Sequence, residues 1–216
     1  MLHAMKAVER GFTLVELAIV LVIIALVLGG VLKGQEMVTQ AKVKSAISDF
    51  SGLSAAYYGY QDRYRAIPGD DPGAARRWPG AAAGDGNGRV EGRYNSQHPA
   101  NDSRLWWDHL RRAGFVAGSG TLQPFNALTG LIGVQTGDGS SPIGPALGGF
   151  VGLIVCSSTL HDKVAVALDT QMDDGAPHTG TMRGQAQFSP HPDIEMSAAS
   201  VYTETGATVY TLCRSV

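Results

Sequence analysis

The sequence predicts an α+β protein: one long N-terminal helix, apolar in its first half and amphipathic in its second, whose second half packs on a strand-containing C-terminal domain. Three observations predict it. From Phe12 to Leu32 the only polar side chains are Thr13 and Glu16. Val43, Ala46, Ile47, Phe50, Leu53, Tyr57, Tyr60 and Tyr64 then recur at steps of three and four, with Lys44, Ser45, Ser48 and Asp49 off that stripe. Beyond Pro68 the helical period is lost, and short β-branched runs bounded by turn formers follow.

Composition narrows the function classes. The chain has 216 residues, a formal net charge of −2 and 44% apolar content, which argues against disorder and, on charge grounds, against a nucleic-acid partner. About 150 residues follow the helix, enough for one domain with its own core. With 28 glycines, 10 prolines and only 17% charged residues, that domain reads as loop-rich and strand-containing.

The first element is predicted as a single helix from Phe12 to about Arg65. Its apolar run suits a bilayer, which needs roughly 20 such residues. Lys6, Glu9 and Arg10 precede it and Lys33, Glu36, Lys42 and Lys44 follow, so flanking charge orients it weakly. A removable secretory signal would be shorter and carry a small-residue cleavage site, which "LGGVLKG" does not supply. No proline interrupts Phe12 to Ile67; Gly29, Gly30 and Gly34 allow either local unwinding or close helix approach. Pro68 ends the pattern.

Residues 68–103 form a long Gly, Pro and Asp-rich loop, of a length usually functional or pinned by something. Within "GDGNGRVEG", Asp85, Asn87 and Glu91 present oxygen ligands on a tight turn that suits calcium, with Asp70 or Asp71 completing the set from across the loop. The stretch departs from an EF-hand loop: Arg89 stands where a third acid would fall and Glu91 comes too early. The competing expectation is a solvated turn in which Asp and Asn bond their own backbone.

A short helix follows, with Asp102 or Ser103 as N-cap and Gly114 as stop. Trp106 and Trp107 are adjacent and point in different directions; one is read into the core and the other as able to reach a neighbouring subunit, with core packing favoured over an aromatic ligand box. Three strands are predicted, at Gly149–Cys156, Lys163–Leu168 and Ala207–Cys213, with a turn at Asp173-Asp174-Gly175.

Catalysis finds little support. No nucleophile elbow, H-E-x-x-H or Walker loop is present, and six histidines are scattered. His161-Asp162 lies close to Cys156 in sequence, but a surface turn fits it better. Adjacent Asp173 and Asp174 are expected to diverge, against paired acid–base work. The chain is expected not to be an enzyme and to require no cofactor beyond the candidate calcium.

Gly11-Phe12-Thr13-Leu14-Val15-Glu16, after a short leader with basic residues and before an unbroken apolar stretch, resembles the prepilin signature of type IV pilins and type II secretion pseudopilins. The resemblance spans roughly Lys6 to Tyr64, and its implied fold is type IV pilin-like α+β, with a C-terminal antiparallel β-sheet domain of three to five strands packed on the amphipathic half of the helix. It implies a leader at 1–11, cleavage between Gly11 and Phe12 by a prepilin peptidase, N-methylation of Phe12, and polymerisation into a type IV pilus or pilus-like filament. A type II secretion pseudopilin is the alternative, and a monomeric membrane-anchored extracytoplasmic binding protein a distant one.

Physical reasons accompany these steps. Gly11 lets a protease approach the backbone. Cleavage would create an ammonium on Phe12, and Glu16 of one subunit could pair with that of a neighbour. An ionisable residue in such a segment is a functional candidate. The chain then divides into a filament-core half of the helix at 12–34, an amphipathic half at 35–67, a connecting region at 68–148 and a sheet region at 149–216. Implied partners are the prepilin peptidase and methyltransferase, further copies and related pilins, an inner-membrane assembly platform, and the membrane before assembly. The precursor would be single-pass in the inner membrane with its C-terminal domain in the periplasm, and later an extracellular pilus or periplasmic pseudopilus.

Cys156 and Cys213 form no CxxC motif. A disulfide is permitted outside the cytoplasm, and many pilins carry one near the C-terminus, as the position of Cys213 would suit. Two buried thiols are the alternative.

Overall fold

A computed structural model describes residues 11–138 and 145–216. Residues 1–10 of the expected leader, with Lys6, Glu9 and Arg10, lie outside the described residues. The chain forms two compact units, one ending at Gln40 and the other spanning Ala41–Val216.

Helix α1 runs Leu14–Tyr64, so the long-helix expectation holds to within two residues at its start. It passes through Gly29, Gly30 and Gly34 without a break, and a Cβ added at any of the three would meet open space. In the first unit its side chains are uncovered: every residue from Gly11 to Val38 is exposed. From Val43 onward one stripe turns inward. Val43, Ala46, Phe50, Leu53, Ala56, Tyr57 and Tyr60 are buried, and Ile47 and Tyr64 pack at their margin.

The remaining elements are α2 (Ala74–Arg77), α3 (Asp102–Arg112), β1 (Ile132–Thr136), β2 (Leu153–His161), α4 (Asp162–Met172), β3 (Met182–Ala186) and β4 (Val209–Ser215). The four strands form one antiparallel sheet in the order β1-β2-β4-β3. Side chains alternate across it. Val155, Tyr210 and Leu212 face the core shared with the second half of α1, α3 and α4, whereas Ile154, Cys156 and Cys213 face a second cluster with Tyr94, Leu147 and Phe150.

Three expectations about this region are corrected. Lys163–Leu168 is helix, within α4, rather than strand. Alternating Val and Ala fit either period over so short a run. The helix wins because Val164, Ala165 and Leu168 share its buried face, while Asp162 at its start accepts the Lys163 amide at 2.7 Å and the Gly206 amide at 2.6 Å. The predicted strand at Gly149–Cys156 begins later and runs on to His161, through a bulge between Ser157 and Leu160 where Thr159 adopts φ 59°. Strands β1 and β3 were not expected; β1 lies inside the segment read as connecting region.

Helix α3 is confirmed, but its N-cap is Asn101 rather than Asp102 or Ser103. Both tryptophans are fully buried in the core, as the core-packing reading expects, and neither reaches toward a neighbour. They pack edge to face, with ring centroids 4.8 Å apart.

Candidate functional site: the N-terminal segment and the acidic loop

Gly11, Phe12 and Thr13 precede the first helical turn, so the expected cleavage junction lies in exposed, non-helical backbone. Thr13 is the N-cap: its carbonyl accepts the Leu17 amide at 3.2 Å. Its hydroxyl oxygen accepts the Glu16 amide at 3.2 Å. In return, Glu16 Oε2 accepts the Thr13 amide at 2.8 Å and the Thr13 hydroxyl at 2.7 Å. This is a reciprocal capping box. Glu16 therefore has a partner within its own chain, a role the sequence reading missed although Thr-x-x-Glu ahead of an apolar run signals it.

Around this box the surface is unusual for a soluble chain. Fifteen large apolar side chains between Phe12 and Leu32 are exposed, Phe12 at 83% and Leu14 at 86%. At roughly 1.5 kcal/mol for each, leaving them in water would cost on the order of 20 kcal/mol. Among the described residues α1 is the helix long and apolar enough to cross a membrane.

In the second unit, the structure brings Asp85, Asn87 and Glu91 together. Asn87 Nδ2 donates to Asp85 Oδ2 at 2.9 Å and to Glu91 Oε1 at 3.3 Å. Asp70 is buried behind them: its Oδ1 accepts the Gly86 and Asn87 amides at 2.6 and 3.2 Å, and its Oδ2 the Gly88 amide at 2.7 Å. Asx turns are present too, since Asp85 accepts the Asn87 amide and Asn87 the Arg89 amide. Arg89 turns away to pair with Asp138 at 2.9 Å.

Asp71 takes no part in this set. It accepts from Tyr60 Oη at 2.5 Å and Gly73 N at 2.7 Å, and pairs with Arg77. Asp102 accepts the Glu91 amide at 3.1 Å. Burial, reinforced by the charges of Asp70, Glu91 and Asp85, pushes the Asp102 carboxyl up to about 6.

One buried histidine fastens the loop. His109 Nδ1 accepts the Gly69 amide at 2.9 Å, so its proton sits on Nε2, 2.8 Å from the Ala82 carbonyl. Burial lowers its pKa and keeps it neutral. Gly69 is required here: at φ 88° a Cβ would lie 2.4 Å from the Asp102 carbonyl oxygen.

A further acidic group overturns one expectation. Asp173 and Asp174 do not diverge; with Asp169 their carboxylate oxygens lie within 4.8 Å of one another. Each has protein donors. Asp169 accepts from Tyr202 Oη at 2.5 Å, Asp173 from the Met182 amide at 2.8 Å, and Asp174 from Thr179 Oγ1 at 2.6 Å. Helical spacing from Asp169 at the end of α4 was the signal available in the sequence.

Cys156 and Cys213 form a disulfide between directly opposed positions of β2 and β4, both fully buried. His161 is the exposed N-cap of α4.

A family model described as the prokaryotic N-terminal methylation motif matches residues 6–32. No curated protein and no solved structure matches the chain. The matched stretch contains the capping box and most of the uncovered apolar helix. Residues 6–32 thus carry a prepilin signal of the type IV pilin and pseudopilin kind, placed ahead of an α+β, disulfide-bonded domain of the layout such subunits share.

Proposed function

We propose that the chain is a structural subunit. A prepilin peptidase cleaves it between Gly11 and Phe12, the new Phe12 amine is methylated, and the product polymerises into a type IV pilus or pilus-like filament. The observation that carries the reading is the methylation motif joined to fifteen uncovered apolar side chains, which need lipid before assembly and other copies after it. Before assembly the helix sits in the inner membrane as a single span, with the C-terminal domain in the periplasm.

Glu16 has a second role in this reading. Only its Oε2 serves the capping box, which leaves Oε1 for the Phe12 ammonium of a neighbour. Two substitutions separate the roles. Glu16→Gln keeps an acceptor for the cap and removes the charge; Glu16→Ala removes both. Cleavage should persist in both variants, and filament yield should fall by about tenfold or more in both. Normal filaments from Glu16→Gln would refute the charge pairing. N-terminal sequencing of the mature protein should give methylated Phe12, and a chain beginning at Met1 would refute the filament reading.

The proposal extends to a structural calcium ion in the loop, held by Asp85, Asn87 and Glu91 with Asp70 behind them. What supports it is the convergence of the Asp85 and Glu91 carboxylates on the Asn87 amide, whose NH2 group faces them and whose oxygen would turn to the ion, and the suitability of hard oxygen donors for that ion.

A further inference from the structure

The stripe of α1 that enters the core leaves one open flank. A groove of about 280 Å³ runs between Asp49 and Leu53 of α1 and the segment carrying Phe115 and Phe125, with Trp107 and Ile132 at its base. Phe125 is 64% exposed on its rim, and nearby in sequence Leu122 is 70% exposed. The carboxylate of Asp49 lies half-buried in this mainly apolar wall. It makes no hydrogen bond or ion pair with any described residue, and burial raises its pKa with no opposing charge. An uncompensated acid in such a place is costly unless a cation covers it.

We infer that this groove seats a second copy of the chain, with Lys44 of that copy over Asp49. The inference rests on the filament reading and extends it from the helix to the domain surface. Charge register supports it. Lys44 is exposed and makes no ion pair among the described residues. It precedes Asp49 by five positions, about 7.5 Å of helix rise. The Phe12 amine likewise precedes Glu16, from the non-helical residues just ahead of α1. Both pairs place the cation before the acid in sequence, so neighbours displaced in one sense serve both.

Five positions also put Lys44 about 140° around the helix from Asp49. A chain cannot close this pair on itself, whereas a head-to-tail neighbour can. Contacts of that heterologous kind propagate into filaments.

The test uses the full-length chain in its membrane. A photo-crosslinking benzoylphenylalanine at position 125 should give an adduct of twice the subunit mass. Asp49→Lys and Lys44→Asp should each reduce the adduct about tenfold, and the double exchange should restore it. Lys44 is exposed, so Lys44→Asp remains informative if Asp49→Lys misfolds. Normal filaments without the dimer adduct, an adduct to lipid or another protein only, or single variants that crosslink like wild type would overturn the groove assignment. A charge-rescued adduct in cells that form no filament would instead overturn the filament reading and leave the groove assignment standing.

Discussion

Replacing both Cys156 and Cys213 with alanine tests how the sheet is held. The bond closes a loop across 57 positions. On the chain-entropy model, removing it frees the unfolded chain by about 4 kcal/mol. Both residues are fully buried, joined to Tyr94, Ile154 and Phe150 on the sheet face away from α1, so each lost sulfur also leaves unfilled volume. For a domain of this size, about 4 kcal/mol corresponds to a fall in Tm of roughly 8–16 °C. The assay is a thermal melt of the full-length chain in detergent, with wild type in reductant as a second arm. A free-thiol assay under denaturing conditions should find none in the oxidised protein. A double variant that melts within about 3 °C of wild type would refute the reasoning, since the fold would then owe the cross-link almost nothing.

Four further outcomes are expected. Gly69→Ala forces a Cβ toward the Asp102 carbonyl oxygen at a positive φ, so it should destabilise by at least about 2 kcal/mol in a urea titration; a neutral result would show that the loop backbone can shift freely. Asp102 keeps its proton up to about 6 in the fold, above the value near 3.9 of an unfolded aspartate. Its stabilising contribution is thus full below pH ~4 and lost as pH rises through about 6. Asp102→Asn should therefore flatten the dependence of Tm on pH between 4 and 7, and an unchanged slope would refute the assignment. His109, whose pKa is lowered, has the opposite sign: its contribution is complete above about pH 6.5 and lost as pH falls. Finally, calcium should raise the melting temperature and EGTA should reverse the rise; a melt indifferent to both would exclude the ion.

Contiguous residues are enough to specify the long helix, its two halves and the prepilin signal. A twenty-residue apolar run, a stripe at steps of three and four, and Gly11-Phe12 followed by Glu16 are local facts that no distant contact can reverse. The Thr13–Glu16 box is equally local, spelled by Thr-x-x-Glu just ahead of the apolar run.

Tertiary structure decided the rest. Val164 and Val166 alternate with alanine as a strand would, and only the buried face shared with Ala165 and Leu168 makes that run a helix. Strand β3, "MRGQA", alternates only faintly, with Met182 and Ala186 toward the core and Arg183 and Gln185 between them; it is a strand because the opposed residues of β4 satisfy its backbone. Asp169 meets Asp173 and Asp174 because the chain leaves α4 into a turn closed by Met182. Asp70 reaches Gly86, Asn87 and Gly88 across a loop that His109 fastens at Gly69 and Ala82. Such pairings depend on where buried backbone groups find partners, and that is settled only when the whole chain has closed.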